Sequence, residues 1–78
     1  MRMTIGSKNC GWNHIENAAK MAAKIEKVLE NNSTEYSVAI IHEDGKFSTY
    51  HVEATAKENI PFSEFVRIVL GYPFSYEE

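Results

Sequence analysis

Two runs rich in β-branched and aromatic residues, EYSVAIIH (35–42) and KFSTYHVEA (46–54), flank EDGK, and no other feature restricts the fold of this chain as much. Asp44-Gly45 suits a two-residue type I′ turn, whose twist matches that of the strands it joins. That turn sets a register with Glu43 opposite Lys46, His42 opposite Phe47, Ile40 opposite Thr49, Val38 opposite His51 and Tyr36 opposite Glu53. One face then carries Tyr36, Val38, Ile40, His42, Phe47, Thr49 and His51. The other carries Ala39, Ile41, Tyr50, Val52 and Ala54 and holds no histidine, so it is the face expected to meet the core.

Helical signals lie on both sides of this hairpin. Asn13 is a good N-cap and Glu16 can reach back to it as in a capping box, which predicts a helix over residues 14–31. Ile15, Ala18, Ala22, Ile25 and Leu29 form its apolar seam, widened by Ala19 and Val28, and ENNST ends it. A second helix is expected from Pro61, at its first position, to Leu70, with Gly71 as the stop. Phe62, Phe65, Val66, Ile68, Val69 and Leu70 make that helix apolar on more than one face, as in a helix buried on two sides or docked on a partner. RMTIG, residues 2–6, reads as a short edge strand. The plan is α+β, a single domain over residues 1–78 in the order α-β-β-α, with the hairpin packed against two helices.

Composition narrows the function classes. A chain of 78 residues buries about 60% of its unfolded surface and has one modest core, with little room for an enclosed active site. Hydrophobic residues at 44% and charged residues at 24% are ordinary for a folded domain. The net charge of -3 weighs against non-specific attraction to nucleic acid or anionic membrane and favours protein partners. No apolar run approaches the ~20 residues of a membrane span, and MRMTIGSKNC lacks the apolar stretch of a signal peptide. The lone cysteine cannot form an internal disulfide, and a cytoplasmic location is expected.

Cys10, Trp12 and His14 fall within five residues of one another in SKNCGWNHIENAA. A zinc site there would need His42 and His51 as well, and in the type I′ register these lie on one face but roughly 13 Å apart along the ladder, at ~3.3 Å per residue. With no C-x-x-C and no second cysteine, no metal or other cofactor is expected. Cys10 precedes a helix N-terminus, which favours thiolate, and His14 could assist it. A Cys–His pair acts within an oxyanion hole and a cleft that a domain this small seldom has, so the chain reads as no enzyme. The stretch is better taken as a loop entering a helix, with Trp12 packed on the core.

Lys20, Lys24 and Lys27 lie at i, i+4 and i+7, with Asn17 and Asn31 on the same stripe. Near Tyr36, Phe47 and Tyr50 such a face could contact phosphates and stack bases; alternatively it is a solvated surface aided by Glu16–Lys20. No glycine-rich phosphate loop, nucleophile elbow or paired-carboxylate motif occurs. Aromatic residues make up 12% of the chain, more than a hairpin and two helices enclose, so some belong at the surface. In GYPFSYEE they are rimmed by carboxylates and suit an interface; alternatively Tyr72 and Phe74 fold back to cover the core, and a mixed outcome, with Phe74 in and Tyr76 out, satisfies both.

In size, acidity and α-β-β-α plan the whole chain resembles the small phage-encoded inhibitors of bacterial defence, anti-CRISPR proteins among them; the likeness transfers no individual residue. It implies a stoichiometric inhibitor that covers a surface which a host nuclease or CRISPR effector needs for nucleic acid. Glu43 and Asp44 at the hairpin tip, with Tyr72, Tyr76, Glu77 and Glu78, are the expected partner-binding residues. The alternative is a small nucleic-acid-binding or regulatory domain that uses Lys20, Lys24 and Lys27. A homodimer through the second helix or the hairpin edge is compatible with either.

Overall fold

The computed structural model describes residues 1–7 and 10–78; Lys8 and Asn9, in the stretch read as a loop, lie outside the described residues. Strand β1 (Arg2–Ile5) is followed by helix α1 (Ile15–Asn32), strands β2 (Tyr36–Asp44) and β3 (Ser48–Ala56), a 3-10 turn (Phe62–Glu64), the one-turn helix α2 (Val66–Val69) and strand β4 (Phe74–Glu77). The strands form one antiparallel sheet in the order β2-β3-β1-β4. The class is α+β. The sheet differs from the expected plan at two strands: β1 is an interior strand rather than an edge, and the tail supplies an additional strand. Met3 and Ile5 explain the first difference, because both are fully buried and an interior strand covers them from either side.

The hairpin forms, but three residues out of the expected register. Asp44 pairs with Ser48, His42 with Tyr50, Ile40 with Val52 and Val38 with Ala54, leaving Gly45, Lys46 and Phe47 as the loop. A type I′ turn needs positive φ at both central residues, and neither Asp44 nor Gly45 has it. The physical reason lies in the faces. The type I′ register would place Val38 and Ile40 opposite the Val52/Ala54 face, and an odd shift brings all four to one side. The core face therefore carries Val38 and Ile40 with Tyr50, Val52 and Ala54, while Ile41 turns outward beside His51.

Helix α1 lies on this face. Its buried residues are Ala18, Met21, Ile25 and Leu29, with Ala22 and Val28 half-buried. Ala19 is exposed and Ile15 is 49% exposed, so the seam is turned toward Met21, whose flexible thioether fills the space against the sheet. The expected Asn13 cap is not formed. His14 occupies the N-cap, its side chain makes no capping bond, and its carbonyl accepts from the Asn17 and Ala18 amides. The cause is upstream: Trp12 exchanges two backbone hydrogen bonds with Tyr50, both 2.8 Å, and the chain enters the helix from that fixed point.

The expected ten-residue helix from Pro61 is instead a 3-10 turn followed by α2, and Pro61 precedes the turn in extended conformation. Phe65 and Val69 from this segment join Met3, Ile5, Ile25, Leu29, Val52 and Ile60 in the core. Gly71 ends it as expected: its φ of +93° lies in the left-handed region, and the Tyr72 amide donates to the Val69 carbonyl.

The far end of α1 is held by a carboxylate. The Ser33 hydroxyl donates to Glu58, and the Thr34 hydroxyl donates to its other carboxylate oxygen at 2.8 Å. The Ser33 bond, then those from Thr34, lower the Glu58 pKa from 4.5 to about 2. Because the folded value lies below the unfolded one, this contribution to stability is complete above pH ~4.5 and is lost as pH falls toward ~2. Glu58→Gln should therefore be less stable than the wild type at pH 7, with the difference shrinking as pH falls through that window. Urea unfolding at several pH values checks it, and a difference independent of pH would reject the clamp.

Candidate functional site

A concavity lies where the loop before α1, the helix itself and the chain after α2 converge. Trp12 is pinned to Tyr50 by its backbone and is half-buried, so its indole both packs on the core and lines a groove. Tyr72, just past the Gly71 bend, sets its ring 5.2 Å from the indole at 41°. From α1 come Asn17, Lys20, Met21 and Lys24, whose spacing at i, i+3, i+4 and i+7 puts all four on one stripe. Together these six residues line a groove of about 460 Å³. Among the described residues, two cations and an amide thus line the groove with two aromatic rings and Met21, and no carboxylate does. Among the described residues neither lysine takes part in an ion pair, including the expected Glu16–Lys20 pair.

An apolar ledge continues from Tyr72. Val66 is 38% exposed, Leu70 76%, Tyr72 43% and Phe74 45%, so four of the seven exposed large hydrophobics fall within residues 66–74. Phe74 belongs to β4 and stacks on Phe62, with centroids 4.9 Å apart and planes at 20°. Among the described residues β4 pairs with β1 alone, which leaves its outer edge without a strand beside this ledge. An open edge flanked by apolar side chains is the arrangement to which an extended segment of a partner adds as a further strand.

The structure separates the expected partner-binding residues. Tyr72 is exposed on the ledge, but Tyr76 is turned inward, where its hydroxyl donates to the Ile60 carbonyl and its ring lies against Phe62 and Phe65. Burial, then the negative charge of Glu78, raise its pKa. The outcome is mixed in the opposite sense to Phe74 in and Tyr76 out: Phe74 is 45% exposed and Tyr76 is turned in. Glu43 and Asp44 end one edge strand, while Glu77 pairs with Arg2 at the opposite end of the other edge. They are separated by about 20 Å along the strands and about 14 Å across them, taking ~3.3 Å per residue and ~4.8 Å per strand. The carboxylates therefore lie at two far corners of the sheet rather than in one cluster with Tyr72. Of the basic stripe, Lys20 and Lys24 line the groove and Lys27 does not.

The remaining chemistry-bearing residues also fall apart. His42 stacks on Tyr50 and bonds Ser48, on the core side of the sheet, whereas His51 is on the outer side. The two histidines could not share an ion, because they occupy opposite faces rather than distant points of one face. His51 is 5% exposed between two carboxylates: its Nε2 bonds Glu53 at 3.2 Å, and its Nδ1 lies 3.3 Å from Glu43 without hydrogen-bond alignment. Glu43 is thereby turned toward its own sheet. Cys10 and His14 are exposed. Among the described residues no group of three or more His, Cys, Asp or Glu side chains could hold a metal ion, and no helix is long and apolar enough to cross a membrane.

Of the site residues, Trp12 was marked in the sequence by its uniqueness and Asn17, Lys20 and Lys24 by their spacing, but nothing signalled their meeting with Tyr72. Comparison with protein-family models, with curated proteins and with solved structures finds no match for the chain.

Proposed function

We propose that the chain is a non-catalytic protein-binding module that acts by covering a surface of its partner, as a stoichiometric inhibitor of a host nucleic-acid-processing or defence complex would. The observation that carries this reading is the exposed ledge of Val66, Leu70, Tyr72 and Phe74 beside the open edge of β4. Exposed aromatic and aliphatic anchors are what interface cores are made of, and a short edge strand with such neighbours offers backbone bonds as well as area. The net charge of -3 suits a surface that is itself built to attract a polyanion.

The test uses tagged chain and a lysate of the organism that carries it. A multi-subunit complex should co-purify at a fixed ratio, and the nucleic-acid binding or cleavage of that complex should fall linearly to zero at one chain per complex. Leu70→Glu and Phe74→Lys should each weaken the association at least 30-fold, as expected of a central anchor contributing 2 kcal/mol or more. Association unaffected by both substitutions would overturn the reading. So would a partner whose activity the bound chain leaves intact.

A further inference from the structure

We infer that the Trp12–Tyr72 groove is a binding site for single-stranded nucleic acid, adjoining the apolar ledge at Tyr72 but reading its ligand through Trp12, Lys20 and Lys24, which the ledge does not use. The groove presents the two kinds of group that such a ligand needs, in one place and with nothing of the opposite sign among its lining residues. The indole and phenol rings, tilted at 41° with centroids 5.2 Å apart, offer a half-exposed platform on which a base can stack. Stacking of this sort tolerates any base because every base has a π face. Lys20 and Lys24 stand one helical turn apart, about 6 Å along the axis at 1.5 Å per residue. They can each meet a phosphate of a strand running beside α1. Asn17, three residues before Lys20 on the same stripe, places an amide donor and acceptor at the end of the groove, where a base edge would lie.

Charge selects this ligand over an apolar peptide. The chain carries a net charge of -3, yet the groove concentrates two lysines that are in no ion pair among the described residues. A duplex is too wide to bring a base face onto the rings without unpairing, whereas a single strand can splay one base into the groove. The local field and the platform thus favour a flexible polyanion with flat groups, although the chain as a whole would repel it.

The experiment is anisotropy of a fluorescein-labelled oligodeoxythymidine, with Trp12 emission followed in parallel on unlabelled oligonucleotide. Binding at low salt should quench Trp12 and weaken with salt along a log–log slope of about -1.4, for two phosphates at ~0.7 each on a single strand. Lys20→Gln or Lys24→Gln should reduce that slope to about -0.7, and Lys27→Gln, on the same helix but outside the groove, should leave it unchanged. Tyr72→Ala should weaken binding roughly 5- to 150-fold through loss of the stacking surface. Leu70→Glu, which tests the ledge, should leave oligonucleotide binding within about twofold, so the two proposals fail separately. No binding at low salt overturns the inference, as does an equal effect of Lys27→Gln and Lys24→Gln. A preference for an acidic aromatic peptide over the oligonucleotide overturns it too.

Discussion

Replacing Phe65 with alanine is expected to cost about 3–5 kcal/mol, which for a domain of this length is a large part of its whole stability, ~4–12 kcal/mol at ~0.05–0.15 kcal/mol per residue. The ring is fully buried where the 3-10 turn meets α2, and it lies 6.4 Å from the ring of Tyr76. It therefore fastens a segment that has almost no regular structure of its own, since α2 is a single turn. A helix so short cannot persist without tertiary contacts. Loss of the ring leaves a cavity under both the 60–70 segment and β4, and Tyr76 loses an aromatic neighbour at the same time. Thermal unfolding followed by circular dichroism should show Tm lowered by at least ~12 °C, at ~4 °C or more per kcal/mol. Val66→Ala, one residue on but 38% exposed, should change Tm by only a few degrees. Equal effects of the two substitutions would mean that Phe65 is not the anchor.

Gly11→Ala is expected to have a large effect by a different route. A Cβ at Gly11 would stand in clashing contact with the Tyr50 carbonyl oxygen, 3.1 Å from its carbonyl carbon and 3.2 Å from the Thr49 Cβ. The obstacle is chiefly backbone and cannot rotate away. The chain must therefore withdraw from β3 there, and the two hydrogen bonds between Trp12 and Tyr50 are lost with it. Overpacking of this sort costs about 1–3 kcal/mol, and two backbone bonds at ~1 kcal/mol each add to that. The consequence for the groove exceeds the consequence for the fold, since that bridge holds the indole opposite Tyr72. Trp12 emission should shift to the red and become more accessible to quenchers, and oligonucleotide binding should fall with it, while the circular dichroism of α1 persists. Unchanged emission would show that the loop accommodates a methyl group and that Trp12 is not positioned by the bridge.

Several elements were legible because their signals are local. The long helix was expected over 14–31 and runs from Ile15 to Asn32, since periodicity over many residues outweighs any one cap. The hairpin and the Gly71 stop were legible for the same reason. Asn13 was a sound capping residue that the structure does not use, because backbone pairing at Trp12 decides where the helix begins. β4 escaped notice because FSYE is too short to display alternation, and it becomes a strand only when β1 supplies hydrogen-bond partners. Tyr76 illustrates the same dependence: a tyrosine beside two glutamates reads as surface until the Ile60 carbonyl is placed within reach of its hydroxyl.

Composition, periodicity and turn chemistry act within a few residues, and they suffice for an α+β domain with one long amphipathic helix, a central hairpin and a surplus of aromatic residues. The hairpin register, the interior place of β1 and the meeting of Trp12, Lys20, Lys24 and Tyr72 arise only when the elements pack together. Each of these depends on which apolar faces can be buried together at once. Asp44-Gly45 offered a turn that was locally sound, but accepting it would have divided Val38 and Ile40 from Val52 and Ala54, and burial of all four on one side prevailed over the preference of two loop residues.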